Sequence, residues 1–114
     1  MNVAKVMAVA NLVTTDYLVI GAGAASMSFV DTLLTEQPSA KVVIVDKHAA
    51  PGGHWNDAYG FVQLHQPSLL YGVASKSLEG NWAKLMLTKR ILPWHHRASK
   101  AELLRYYKDL IDAW

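Results

Sequence analysis

Two glycines and one aspartate have the types and spacing that most directly suggest chemistry in this sequence. Gly21 and Gly23 follow a short apolar run and precede a helical pattern. Gly21 permits a tight strand-to-helix turn, and Gly23 leaves no Cβ between a pyrophosphate and the amides at the positive end of the helix. Asp46 ends the next apolar run, at roughly the 20-residue distance that the dinucleotide-binding fingerprint requires. Its carboxylate can accept hydrogen bonds from both hydroxyls of an adenosine ribose and would repel a 2′-phosphate, which disfavours NADP here.

The turn matches the Gly-x-Gly-x-x-Gly/Ala scheme at its first two glycines and departs from it at the third position. Ala24 and Ala25 open the helix, and Ser26 occupies the helix–strand packing position, where its side chain is still small. We include all three among the residues expected to bind the cofactor through the first helical turn. A Gly-x-Gly pair alone also occurs in ordinary turns, and Asp46 could be a solvated aspartate that closes a strand.

The elements around this turn predict a β-α-β unit. Tyr17–Ile20 is a short apolar run, and apolar residues at helical spacing follow the glycines to about Thr35. Residues 41–46 form a second, β-branched run. Both runs are typical of strands buried on both faces of a parallel sheet, joined by a right-handed crossover. The predicted fold class is α/β, a partial Rossmann-type doubly wound parallel sheet that remains incomplete within 114 residues.

The rest of the chain predicts a long functional loop and a terminal helix. Residues 47–80 are rich in Gly, Pro, His and Tyr, with Phe61–Leu64 as the one candidate strand. Ser99 and Glu102 form a capping-box pattern, which predicts a helix from about Ser99 to Ala113. In this helix we expect one of two adjacent tyrosines to pack inward and the other to reach solvent. We expect Asp31, on the first helix, to point away from its apolar face.

Composition narrows the class of protein. A 52% hydrophobic and 18% charged sequence is typical of one globular domain, and a net charge of +2 from scattered residues indicates no nucleic-acid or membrane patch. The absence of cysteine excludes disulfides and thiolate catalysis and suits a cytoplasmic location. Residues 1–15 are interpreted as an N-terminal extension, with a signal peptide as the alternative, and residues 16–114 as part of one domain.

A second glycine pair, Gly52 and Gly53, follows the second strand and precedes His54 and Trp55. Together with the turn at Gly21 and the Val-Asp-Lys segment that contains Asp46 and Lys47, it carries a family resemblance. From about Asp16 to Ala113 the sequence resembles the N-terminal FAD-binding region of flavin-containing monooxygenase-like oxidoreductases, which are flavoproteins with two dinucleotide-binding domains. The resemblance implies a truncated member of this group.

The resemblance also implies roles for individual residues. Gly21 and Gly23 would hold the adenosine diphosphate part of FAD, Asp46 would bind its ribose, and the segment from Gly52 to Trp55 would run beside the flavin end. His65 and Gln66 would then offer hydrogen-bonding groups to the polar edge of the isoalloxazine ring. In the complete family NAD(P)H reduces the flavin. The sequence departs from the family at three positions and contains no second Rossmann motif; the three departures are Ser26, Gly60 and Gln63.

Several alternatives remain beside this interpretation. Trp55 could be a core aromatic, and His54 is equally ambiguous. His95 and His96 are adjacent and would diverge, and no third ligand has a recognisable spacing, so we expect no metal site. No residue is identified as catalytic, and the chain is short for an enzyme that must also hold a second substrate. The alternatives to an FAD-dependent, monooxygenase-like oxidoreductase are a noncatalytic fragment with weak or no nucleotide binding and an NAD-linked dehydrogenase fragment.

Overall fold

The computed structural model describes residues 12–80 and 96–114. Strand β1 is Tyr17–Ile20, helix α1 is Ala24–Glu36 and strand β2 is Val42–Val45. The two strands pair in parallel, with Tyr17 opposite Val42. The predicted β-α-β unit is therefore confirmed, within one or two residues of the expected boundaries. Most of the expected N-terminal extension lies outside the described residues.

Within residues 12–80 and 96–114, the sheet is covered on one face only. Val42 and Ile44 line an apolar groove together with Val30 of α1, so this face packs toward the helix. On the opposite face, Leu18 and Ile20 are 60% and 74% exposed. The prediction that both strands are buried on both faces is wrong for the described chain, because an apolar run records what a strand can bury and not which neighbour covers it.

The hydrophobic core lies between the loop that follows β2 and the terminal helix α2, Lys100–Ala113. The described part of this loop, residues 46–80 and 96–99, contains two short 3₁₀ helices, Gly53–Asn56 and Ser68–Leu70, and its remaining backbone is irregular apart from isolated bridges. Its apolar side chains pack with Met27 of α1 and with one face of α2. The buried core residues are Met27, Trp55, Leu64, Val73, Ala98, Leu103, Tyr106, Tyr107 and Leu110.

The predicted strand at Phe61–Leu64 is wrong. Gln63 forms a single antiparallel bridge with Ser99, and the Lys100 amide donates to the Val62 carbonyl at 3.1 Å. The ladder cannot continue because the partner segment becomes helical at Lys100. The bond from Lys100 to Val62 and the one from the Leu64 amide to the Ala98 carbonyl, at 3.0 Å, fasten this part of the loop to the start of α2.

Both tyrosines of α2 are buried, which corrects the prediction that one reaches solvent. The Tyr106 hydroxyl accepts from the Val73 amide at 2.7 Å and donates to the Lys76 carbonyl, so its polar end is satisfied inside the protein. The Tyr107 hydroxyl bonds to that of Tyr71. Burial raises the pKa of both tyrosines, and both remain neutral phenols that fix the loop to the helix.

Polar side chains in the interior fasten the loop at two more points. Asp31 is 2% exposed, against expectation, and accepts from the amide of Ser75 at 3.0 Å and from its hydroxyl. Ser68 is fully buried, and its hydroxyl accepts from the Ala98 amide at 2.6 Å. These serines have structural partners. Among the described residues, no helix has the length and apolar character needed to cross a bilayer.

The capping box of α2 is present as predicted. Ser99 accepts from the Glu102 amide, and the Glu102 carboxylate accepts from the Ser99 amide at 2.8 Å. We expect Ser99→Ala to lower the free energy of unfolding by about 1 kcal/mol, because one amide of the first turn loses its partner. In thermal denaturation this corresponds to a fall in Tm of about 4 °C. Ser39→Ala, at an exposed turn, is the control and should leave Tm unchanged; an equal loss in both variants would contradict the assignment.

Candidate functional site

The turn between β1 and α1 contains two glycines, and the backbone conformation and the space around the Cα differ between them. Gly21 has φ 98°, in the left-handed region, and its amide donates to the Val45 carbonyl at 2.7 Å. Gly23 has φ −90° and ψ −176°, an extended conformation open to any residue. Of the residues that the structure describes, a Cβ on Gly23 would meet only Gly53, whose Cα would lie at an ordinary 3.6 Å. Folding therefore requires glycine at position 21 but not at position 23.

The N-terminus of α1 is open to an anion. Gly23 is the N-cap and provides no side-chain hydrogen bond, and the first turn contains no acidic residue. Ala24 and Ala25 are exposed, while Ser26 is half-buried, with its Oγ beside Gly21. The amides and the positive end of the helix dipole at this turn can thus attract a negatively charged group.

Asp46 lies directly against this turn. Its Oδ2 accepts from the Ala22 amide at 2.7 Å, and its Oδ1 accepts from the backbone amide and the ring Nδ1 of His48 at 2.7 and 2.9 Å. The His48 amide first, and then the Ala22 amide, hold the pKa of this carboxyl below its usual range. The carboxylate is therefore ionised and fixed in one orientation, with acceptor capacity left on Oδ2.

The second glycine pair packs against the first. The Gly52 amide donates to the Ala22 carbonyl at 2.8 Å. Gly53 has φ 54°, and a Cβ there would lie 2.9 Å from the Cα of Gly23, closer than real contacts allow. A Cβ on Gly52, at φ 126°, would collide with Leu104. The glycine pair thus has a structural reason within the protein, while its predicted contact with a cofactor remains a prediction.

A cavity of about 380 Å³ brings together the residues expected at the flavin end. Trp55 is 8% exposed and belongs to the core, yet it also lines this cavity, so the core interpretation and the site interpretation both describe it. The exposed His54 ring lies 5.2 Å from the Trp55 ring, centroid to centroid. His65 and Gln66 line the same cavity, as does Tyr71, which sequence reasoning missed. The structure therefore groups predicted residues that are ten positions apart.

Two further residues were missed and shape the site. The Asn56 amide group donates to carbonyls of the loop, at 3.1 Å for Gly53, and so holds the glycine pair in place. The His48 ring contacts both Asp46 and Asp57, and no spacing in the sequence indicates these contacts. Lys47, predicted to bind the cofactor, is exposed, and its Nζ lies 4.0 Å from the Asp57 carboxylate.

A histidine outside this site is paired with acids. His96 contacts Glu79 through Nδ1 and lies 3.4 Å from a Glu102 carboxylate oxygen through Nε2. The Glu79 contact is the main reason why the pKa of His96 is raised. His95 lies outside the described residues. Within the part of the chain that the structure describes, no three His, Asp or Glu side chains are grouped so as to hold a metal ion.

Comparison with protein families agrees with the predicted fold class. Residues 19–71 match the family described as "NAD(P)-binding Rossmann-like domain". Uncharacterized proteins from Mycobacterium tuberculosis and Mycobacterium bovis are 56% identical over 77 residues. That region is 68% of this chain and only 14% of the length of those proteins.

Solved structures show the same fold. A flavin-containing monooxygenase from Stenotrophomonas maltophilia and a double variant of it superpose with TM-scores of 0.63 and 0.65 at 22% identity, over 90% of this chain and 27% of theirs. OTEMO, solved with FAD and NADP, gives a TM-score of 0.54 at 28% identity over 88% of this chain and 17% of its own. The resemblance is therefore confirmed at the level of the fold: the described chain is an incomplete Rossmann-like α/β fold, similar to part of these solved structures.

Proposed function

We propose that this chain provides the adenosine-diphosphate grip and part of the flavin pocket of an FAD-dependent, monooxygenase-like oxidoreductase whose flavin is reduced by NAD(P)H. The chain spans 14% of the length of its curated relatives and 27% or less of the superposed structures. We therefore propose substrate oxidation only for a longer protein that contains such a region. The cytoplasmic location expected from the cysteine-free sequence is part of the same proposal.

The observation that carries the proposal is the placement of Asp46 at the open end of α1. Its fixed carboxylate lies beside the Ala22 amide, one residue from Gly23, where folding does not require a glycine. A ribose bound to the Asp46 carboxylate would explain why that carboxylate is fixed. A pyrophosphate in the space that a Cβ on Gly23 would fill would explain the glycine. The residues present therefore fit an adenosine diphosphate group.

The cavity at Trp55 supports a flavin over a nicotinamide at the other end of the dinucleotide. Its wall combines the aromatic side chains of Trp55 and Tyr71 with exposed polar side chains, among them those of His65 and Gln66. Such a wall suits a planar ring system with a hydrogen-bonding edge. When bound, the flavin would supply the electron-accepting chemistry; the residues here would hold it, orient it and limit its contact with water.

Ligand titration tests this proposal. We expect the purified chain to bind FAD and ADP, as measured by calorimetry, and not FMN, which lacks the adenosine half. The double variant H65A/Q66A should weaken FAD binding several-fold and leave ADP binding unchanged, because both side chains are exposed and line only the flavin end. Phe61→Ala, exposed on the same loop, is the control.

The possible results separate the alternatives. Binding of neither FAD nor ADP would overturn the proposal. Equal affinities for FAD, NAD and ADP, with no effect of H65A/Q66A, would favour an NAD-linked fragment. FAD binding without NAD(P)H oxidation would indicate a cofactor-binding module that needs the rest of a longer protein for turnover.

A further inference from the structure

The imidazole of His48 lies between two carboxylates. Its Nδ1 is 2.9 Å from Asp46 Oδ1 and its Nε2 is 2.9 Å from Asp57 Oδ2. The His48 side chain is 18% exposed and that of Asp46 is 13% exposed, whereas Asp57 is 64% exposed. The ring therefore connects a shielded carboxylate at the adenosine turn to a solvent-facing carboxylate on the loop.

Both ring nitrogens must donate in this arrangement. An ionised carboxylate only accepts hydrogen bonds, and a neutral imidazole has one donor and one acceptor. Only the imidazolium can serve both contacts. With the amides of Ala22 and His48, the ring then supplies one of three donors that fix the plane of the Asp46 carboxylate.

Resting on the function proposed above, we propose that His48 is a positioning residue for the adenosine ribose: by bridging Asp46 and Asp57 it holds the Asp46 carboxylate in its ribose-accepting orientation. Asp57 follows the 3₁₀ helix that begins with Gly53, so the bridge also fastens the second glycine pair to the end of β2. Loss of the ring would free both the carboxylate and the loop.

The arrangement makes adenosine binding depend on pH. The hydrogen bond to Asp57 first, and then that to Asp46, raises the pKa of His48 above its ordinary value near 6.5. Asp46 and Asp57 are the acids in contact with the ring. The positive charge of Lys47, whose Nζ lies 4.0 Å from the Asp57 carboxylate, opposes protonation of the His48 ring. A raised pKa means that the bridge is complete below the ordinary value and is lost as the pH rises through the raised one.

The test is calorimetric titration of the whole chain with ADP-ribose from about pH 5.5 to about pH 9, a range that includes histidine titration. The pyrophosphate of ADP-ribose does not change charge in this range, so a step in affinity reports the titration of a group on the protein. We expect wild-type affinity to fall roughly tenfold across the step, the order of effect of losing one hydrogen bond to a charged group. H48Q should bind roughly tenfold more weakly at low pH and show no step. D57N should move the step to lower pH, because it removes the main cause of the raised pKa.

His96→Gln is the matched control, since this histidine also contacts two acids but lies in another part of the fold. It should keep the wild-type affinity and step. If H48Q binds like wild type at every pH, or keeps the step, the positioning role is wrong and the proposed function stands. If the wild type does not bind ADP-ribose at any pH, the proposed function fails and the positioning role fails with it.

Discussion

Replacing Gly23 by alanine should weaken ADP and FAD binding by about 100-fold or more while leaving the fold intact. The added Cβ meets the protein only at an ordinary contact distance, and the backbone at this position is extended. The methyl group would instead occupy the space through which a pyrophosphate reaches the amides of α1. Affinity is measured by calorimetry and stability by thermal denaturation, where Tm should change by less than about 2 °C.

Gly60→Ala is the control for this result. Among the described residues, none would lie within 4 Å of a Cβ on Gly60, which is in an exposed turn of the loop. It should preserve both affinity and Tm. If Gly23→Ala binds ADP as tightly as wild type, the pyrophosphate does not lie over this turn, and the dinucleotide grip must be abandoned.

Replacing Asp46 by asparagine should reduce ADP-ribose affinity roughly 10- to 100-fold and raise the relative affinity for 2′-phospho-ADP-ribose. An asparagine has one acceptor oxygen, so it cannot serve the amides of Ala22 and His48 and a ribose hydroxyl together. It also removes the negative charge that repels a 2′-phosphate. Competition between the two nucleotides measures the change in preference.

Asp16→Asn is the matched control because Asp16 also accepts a backbone amide, that of Lys41 at 2.8 Å, at the other end of the sheet. It should not affect either nucleotide. The lowered pKa of Asp46 adds a stability test: its contribution is present above the ordinary value near 3.8 and is lost as the pH falls through the lowered one. Acid unfolding should therefore be less steep in Asp46→Asn, and an unchanged curve would contradict the assigned hydrogen bonds.

The parts of the fold that were predicted correctly depend on local pattern. The β-α-β unit follows from two apolar runs and a helical repeat, and the capping box from two residues three positions apart. In each case the residues that make the decisive hydrogen bonds are near neighbours in sequence or share one regular element. Local patterns of this kind are sufficient to predict where an element begins and ends.

The parts that were missed depend on contacts between distant segments. Nothing in the sequence links Asp31 to Ser75, 44 positions away, or Tyr106 to Val73. A buried aspartate on a helix has the same pattern as a solvated one until its partner is known. The exposure of one sheet face was missed for the same reason, since burial of a strand depends on neighbouring segments that composition does not reveal.

For the candidate site, the sequence predicted individual residues but not the contacts between them. Asp46 was recognised from its distance to the turn, whereas His48 and Asp57 carry no spacing signal and acquire meaning only when the loop folds back. Tyr71 likewise lines the flavin-end cavity although it lies five positions beyond Gln66, the last residue predicted there. The motif predicts candidate ligands of a cofactor, and the folded loop shows which neighbouring residues hold those candidates in place.

The packing of Gly53 against Gly23 also has an evolutionary consequence. The constraint acts in one direction, because a Cβ on Gly53 would lie 2.9 Å from the Gly23 Cα, whereas a Cβ on Gly23 would lie at an ordinary 3.6 Å from the Gly53 Cα. Folding alone therefore preserves glycine at position 53, while position 23 is free to become alanine unless a bound ligand needs the space. Among descendants of a common ancestor that no longer bind a nucleotide, position 23 should change while position 53 remains glycine.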